Sequence, residues 1–134
     1  MVEESKSSQG VLYLKINEVM KIVYNKWIPF KGFLAINLFG VLFVRQDSNG
    51  NNYTLSRRVL NHEEIHTAQM KELGYIFFYL FYFIEWIIRL IISPKTAYKS
   101  ISFEQEAYDN EKKYTYLSKR KHYAWLKYFK RSVE

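Results

Sequence analysis

The sequence contains no cysteine among its 134 residues. A disulfide-bonded framework and a zinc site with cysteine ligands are therefore excluded, although the absence of cysteine does not fix the cellular compartment. Residues 1–10 also lack the basic start and the apolar stretch of a secretory signal. We therefore expect this segment to be a flexible arm and the protein to be cytoplasmic.

Acidic side chains are missing from most of the C-terminal end, where none follows Glu111 until Glu134. The lysines and arginines between these positions account for much of the formal net charge of +7. Such a block suits a solvated helical face, with an anionic membrane surface as the alternative. No pattern of an RNA- or DNA-binding module accompanies it, so nucleic acid is not an expected partner.

The remaining composition is that of a folded protein. Apolar residues make up 49% of the chain and aromatic residues 19%, which is far too much for a disordered segment. A chain of this length can bury a hydrophobic core. We therefore predict a single domain over residues 11–134.

Two of the three histidines form the pattern His-Glu-x-x-His at His62, Glu63 and His66. Residues four apart lie on one face of a helix, so two neutral imidazoles there can bind one Zn²⁺ from the same side. Glu63 lies about 100° further round the helix, where it misses the metal but reaches a water beside it. This spacing predicts a metalloprotease helix with Glu63 as general base. The alternative is a chance match on a solvated helix.

The flanking residues predict where this helix begins and ends. Ser56 is a suitable N-cap, and Gly74 is a natural residue just beyond the C-terminus. Both histidines then lie in the middle of the helix, on its inward face. That face is shared by Val59, His62, His66, Gln69 and Leu73.

The N-terminal third predicts one helix and a small β-structure. Apolar spacing favours an amphipathic helix over Val11–Trp27, and the apolar run Phe33–Val44 favours one or two strands. After a turn at 47–52, the segment Tyr53–Leu55 can return as a short strand and complete a hairpin. Such a hairpin either pairs with an extended substrate or merely covers the helices. The expected fold class is α+β and mostly helical.

Tyr75–Ile92 is a stretch of nearly uninterrupted apolar residues at the lower limit of transmembrane length. It contains Glu85 and Arg89, a pair spaced i,i+4, which is costly at the centre of a bilayer. On a helical wheel these two side chains fall on one stripe with Tyr75, Tyr79 and Tyr82. The pattern favours a buried or interfacial helix, and membrane insertion is the alternative.

The C-terminal part predicts two more helices. Ser102 and Gln105 have the spacing of a capping box, which predicts a helix from Phe103 to about Ser118. Residues 122–130 indicate a last short helix.

Catalytic zinc commonly takes three protein ligands, so a third must follow His66. The metzincin pattern is excluded because Gln69 and Glu72 occupy the positions where it needs glycine and histidine. Glu104 and Glu106 point about 200° apart on a helix, so only one of them can face the metal. Spacing does not decide between them. The full set of candidates is Glu85, Glu104, Glu106, Glu111 and His122.

The combination of His62-Glu63-x-x-His66 with a later Glu104-x-x-Ala107 resembles the gluzincin metallopeptidases. It is most similar to small bacterial members and to the branch that holds the CAAX prenyl proteases and the β-lactam sensor proteases. The second motif of that branch often ends in Asp, where this sequence has Tyr108. The resemblance covers about residues 61–109.

This resemblance implies a zincin-like fold, with an active helix, a glutamate-bearing helix and a small sheet, and a zinc-dependent peptidase acting on peptide or protein substrates. It implies Glu104 as the third zinc ligand, and the spacing argument leaves Glu106 and Glu85 as the alternatives. Relatives stabilise the oxyanion with a downstream His, Tyr or Arg. The candidates here are Tyr108, Tyr114 and His122. The alternative function is a non-catalytic metal-binding module, associated or not with a membrane surface.

Overall fold

The computed structural model of the chain describes residues 20–131. The predicted arm and the larger part of the predicted helix Val11–Trp27 lie outside that range. Where this helix prediction reaches the described residues it is wrong, because Lys21–Asn25 forms strand β1. Isoleucine, valine and tyrosine follow one another in this strand, and such residues favour a pleated, half-buried surface.

Three strands form one mixed sheet in the order β1-β3-β2. Strand β2 spans Ala35–Leu38 and β3 spans Val41–Arg45. They are antiparallel, whereas β1 runs parallel to β3 with Lys21 opposite Val41. The prediction of one or two strands over Phe33–Val44 is confirmed, with two strands present and β3 ending one residue later, at Arg45.

The hairpin turn lies at Phe39 and Gly40, which both have positive φ, 53° and 82°. Two such residues form the tight turn whose twist matches that of paired strands. The predicted hairpin through the turn at 47–52 is therefore wrong, and Tyr53–Leu55 is not a strand. Strand β3 already has a partner on each edge, so it cannot pair with a further strand.

Six helices follow the sheet in the described part of the chain, and the expected α+β, mostly helical class is confirmed. The predicted helix from Phe103 ends at Asn110, whose side-chain amide donates to the carbonyl of Glu106, 2.8 Å away. The last helix starts later than predicted because Tyr123 has φ 57°, which a helix does not allow. The helices are α1 (Arg57–Leu73), α2 (Tyr75–Ile92), α3 (Ala97–Ser100), α4 (Ser102–Asn110), α5 (Tyr116–Lys119) and α6 (Leu126–Arg131).

Residue contacts divide the chain into two compact units, one up to Glu64 and one from Ile65 onwards. The division falls within α1. The first unit has a core of sheet residues together with Leu55 and Leu60, and the second has a core of Met70, Phe78, Ile101 and Phe103. The single domain over residues 11–134 stays a prediction.

Helix α2 buries its two charged residues and exposes most of its apolar side chains, although Phe78 packs in the core. Glu85 and Arg89 are buried, and they form an ion pair with 3.0 Å between Oε1 and Nη2. The exposed residues from Ile76 to Ile92 are all isoleucine, leucine or phenylalanine. By length and composition, α2 is the one helix in residues 20–131 that is apolar enough to cross a membrane.

Candidate metal centre

Helix α1 carries both histidines of the His-Glu-x-x-His pattern. Its first turn is capped by Ser56, whose Oγ accepts a hydrogen bond from the backbone N–H of Val59 at 3.2 Å. Gly74 follows its last turn with φ 67°, a conformation that strains residues with a Cβ. The predicted start and end of this helix are therefore confirmed. His62 and His66 lie in its middle turns and are buried.

Helix α4 brings Glu104 to the histidines. One ligand atom from each of His62, His66 and Glu104 lies within 4.8 Å of the others. His66 Nε2 lies 3.3 Å from Glu104 Oε1. Atoms bound about 2.0–2.1 Å from one tetrahedral zinc ion lie about 3.3–3.4 Å apart. The donor types suit a transition-metal ion, and the three residues could hold one.

Gln69 fixes which nitrogen of His66 faces Glu104. The Gln69 amide nitrogen donates to two acceptors, the backbone carbonyl of Phe103 at 3.1 Å and the Glu106 carboxylate at 2.9 Å. Its oxygen therefore faces His66 Nδ1, 2.9 Å away, and accepts a hydrogen bond from the N–H at that position. In the neutral ring, Nε2 then keeps its lone pair toward Glu104. Two electron-rich atoms meet at this point, which is the arrangement that a cation between them stabilises.

Helix α2 holds the helix that carries Glu104. The Tyr82 hydroxyl donates to Glu104 Oε1 at 2.8 Å. The Glu85 carboxylate accepts from the backbone N–H and the hydroxyl of Ser102, at 2.9 and 2.6 Å. Glu85 thus satisfies the first turn of α4, where a carboxylate is also favoured by the helix dipole.

The predicted capping box at Ser102 is wrong. The cap position of α4 is Ile101, and the amide of Gln105 donates to the carbonyl of Ser100 instead, at 3.0 Å. A carboxylate from α2 has taken the place of the local cap. The predicted pairing of Glu85 with Arg89 is confirmed, and both Glu85 oxygens are engaged in these contacts.

Glu106 belongs to a separate buried ionic network with Arg120, Glu72 and Tyr116. Its carboxylate accepts from Arg120 Nε at 2.6 Å and from the Tyr116 hydroxyl at 2.8 Å. Arg120 also binds Glu72 with its terminal nitrogens. Burial acts to lower the pKa of Arg120, but the hydrogen bonds and charges of the two glutamates outweigh it and raise that pKa. Arg120 is therefore a permanent cation between two buried acids.

The structure places the other predicted residues as follows. Glu63 is half-buried, and its backbone carbonyl accepts from the side-chain amide of Asn37 on β2 at 2.9 Å. Tyr108 and Tyr114 are exposed, and His122 Nδ1 lies 3.3 Å from Glu72. The oxyanion donor among these three stays a prediction.

Three residues of the centre and of the adjoining ionic network were not assigned a role from the sequence. The sequence did contain an indication for Gln69, because this residue follows His66 by three positions on the inward face. Tyr82 had a weaker one in the polar stripe of α2. Arg120 had none, since it stands within a run of basic residues and only the fold separates it from its exposed neighbours.

Comparisons with known proteins do not assign this chain to a family. No family model matches the sequence, and neither the curated proteins nor the solved structures contain a significant match.

Proposed function

We propose that this chain is a zinc-dependent metallopeptidase of the gluzincin type. The observation that supports the proposal is the convergence of His62, His66 and Glu104, two residues of one helix and one from a helix 38 positions later along the chain (104 − 66). The pattern His-Glu-x-x-His alone is a sequence motif. The arrival of a buried carboxylate at the same point makes it a three-ligand site, which is the number a catalytic zinc takes.

Zinc suits this donor set better than the hard divalent cations. Imidazole nitrogens favour zinc and other transition metals, whereas Mg²⁺ and Ca²⁺ prefer oxygen donors. When bound, zinc supplies Lewis acidity that lowers the pKa of a water and polarises a carbonyl group.

The protein side chains have distinct roles in the proposed reaction. His62, His66 and Glu104 hold the metal, and Gln69 keeps the Nε2 lone pair of His66 directed at the centre. Glu63 accepts the proton of the attacking water and delivers it to the leaving amine of the substrate. A carboxylate can both accept and release a proton. Glu63 is placed for this role because it follows His62 directly, about 100° further round the helix, and so lies beside the ligands without being one of them.

The decisive experiment is the substitution Glu63→Gln, assayed on a mixed peptide library by mass spectrometry. We expect zinc to be retained and cleavage to fall by roughly 10²–10⁴-fold, the usual contribution of a general base. The matched control is Glu64→Gln, the same change one residue along the helix, which should leave cleavage nearly unaffected.

The outcomes separate the proposed peptidase from a non-catalytic metal-binding module. If the wild-type chain binds zinc stoichiometrically but cleaves nothing in the library, the chain is a non-catalytic metal-binding module. A Glu63→Gln variant that retains full cleavage would contradict the proposed role of Glu63.

A further inference from the structure

Helix α2 exposes an apolar surface that the metal centre does not use. At about 100° per residue, the exposed residues between Ile76 and Ile92 cover about 180° of the helix circumference. We call this surface the outer face of α2. It runs the whole length of a helix that is about 27 Å long, close to the hydrocarbon thickness of a bilayer. A continuous exposed apolar surface of this size marks a place of contact with another phase or molecule.

We infer that the outer face of α2 contacts the hydrocarbon region of a lipid bilayer. The first reason is its composition. Protein interfaces are enriched in aromatic residues, methionine and arginine. Of these types the outer face exposes only phenylalanine, and its other exposed residues are all isoleucine or leucine. The tyrosines and the tryptophan of this helix, from Tyr75 to Trp86, all pack on the opposite side, against the core of the second unit.

The second reason is the position of the charged residues of α2. Glu85 and Arg89 are both buried and bind each other, and Glu85 also binds Ser102. A charged side chain facing hydrocarbon is costly unless it is paired and turned away from it. The helix meets this requirement because its charges face the protein, which leaves a surface free of charge.

The third reason is the charge at the C-terminal end of the helix. Lys95 and Lys99 are exposed there, and the sequence has no acidic residue between Glu85 and Glu104. Lysines near a bilayer surface are attracted to anionic headgroups by about 1 kcal/mol each, or about fivefold in affinity. The exposed charges are thus complementary to the headgroups of an anionic membrane.

The test uses the absence of cysteine from the chain. Ile84→Cys on the outer face and Leu126→Cys on α6 each introduce one thiol at a side chain that is 45% exposed. Each variant of the full chain is labelled with a polarity-sensitive fluorophore and mixed with phosphatidylcholine vesicles, with or without phosphatidylserine. Some vesicles carry a quencher on the acyl chain. We expect a blue shift and quenching for the label at position 84, and neither for the label at position 126.

Three results would overturn the inference. The first is a label at position 84 that vesicles neither shift nor quench. The second is an equal response at both positions. The third is a blue shift without vesicles that grows with protein concentration, because a second copy of the chain would then cover the outer face.

Charged substitutions give an independent measurement by vesicle flotation. Ile84→Asp with Ile88→Asp should weaken binding to neutral vesicles at least about tenfold, since charged groups partition poorly into hydrocarbon. Leu126→Asp should leave it unchanged. Lys95→Gln with Lys99→Gln should remove only the salt-dependent gain from phosphatidylserine, and circular dichroism confirms that each variant is folded. Unchanged flotation of the double aspartate variant would contradict the inference, whatever the outcome of the peptidase assay.

Discussion

Glu104 and Glu106 stand two positions apart on the same helix, and both are buried, with 3% and 0% of their surface exposed. Each accepts a hydrogen bond from a tyrosine hydroxyl, but their other partners differ. Glu104 faces the imidazole of His66, whereas Glu106 is neutralised by the guanidinium of Arg120. Burial alone therefore does not identify a metal ligand. What distinguishes the two carboxylates is the group that compensates the buried charge. Glu106 has a permanent cation beside it, whereas Glu104 faces an imidazole whose lone pair a metal ion can share.

The two sites are connected through one side chain. Gln69 binds His66 with its oxygen and Glu106 with its nitrogen. The ionic network thus positions the Gln69 amide, which in turn orients the proposed ligand His66. Hydrogen-bond partners of metal-binding histidines generally fix the tautomer and orientation of the ring in this way. The comparison predicts that substitution of Glu104 abolishes metal binding. Substitution within the ionic network should mainly lower the free energy of unfolding.

The largest expected difference is in metal binding by Glu104→Ala and Glu106→Ala. Loss of Glu104 leaves two ligands, so we expect the affinity for zinc to fall by more than the roughly 10–100-fold that loss of an outer partner costs. Glu106→Ala should still bind one equivalent. Equilibrium dialysis with elemental analysis measures both. Retention of zinc by the first variant together with its loss from the second would reverse the assignment of the two carboxylates.

The next effect is on stability. Arg120→Met removes the cation between Glu72 and Glu106 and leaves two buried carboxylates without their charge partner. We expect a loss of about 3–5 kcal/mol in the free energy of unfolding, measured by urea denaturation. Lys119→Met and Lys121→Met are the matched controls at exposed positions, and they should change it by less than about 0.5 kcal/mol. Equal effects at all three positions would show that the network does not stabilise the fold.

A smaller effect is expected where the two sites meet. Gln69→Met keeps the shape of the side chain but removes the acceptor for His66 Nδ1 and the donors to Glu106. Zinc affinity should fall roughly 10–100-fold while binding stays stoichiometric at high zinc concentration. Competition with a chelating dye measures the affinity. Gln105→Met is the control, since the amide of Gln105 donates to the backbone carbonyl of Ser100. An equal loss of zinc affinity in the two variants would refute the orienting role of Gln69.

The smallest expected effect is on the stability contributed by Asp47, a carboxylate in a surface loop, in contrast to the buried Glu104 and Glu106. Asp47 accepts hydrogen bonds from the backbone and side chain of Asn51 and from the backbone of Asn49, and these lower its pKa below the usual 3.8. Because the pKa of Asp47 is lower in the folded state, the ionised carboxylate stabilises the fold above pH 3.8. This stabilisation is lost as the pH falls through the folded pKa.

The measurement compares the urea midpoints of the wild type and Asp47→Asn between neutral and acid pH. The advantage of the wild type should shrink as the solution is acidified below the unfolded pKa. An advantage that does not change with pH would mean that the carboxylate charge contributes nothing to the loop.

Local signals in the sequence predicted several features correctly. Ser56 and Gly74 bound the histidine-bearing helix because capping and positive φ depend only on neighbouring residues. The two strands within 33–44 followed from their residue types. The same local reasoning was wrong at Ser102, where Glu85 from another helix satisfies the backbone. It was also wrong at Tyr53–Leu55, because both edges of β3 are already paired, one with β1 and one with β2.

The sequence by itself determined the spacing of His62, Glu63 and His66, because helical periodicity converts a separation of four residues into a shared face. It could not choose between Glu104 and Glu106, which point to opposite sides of one helix. Only the tertiary structure decided that choice, since the direction of α4 depends on contacts with α2 and on the position of Arg120. It also decided that the charged residues of α2 face inward, because a helical wheel gives the stripe but not the side that packs against the protein.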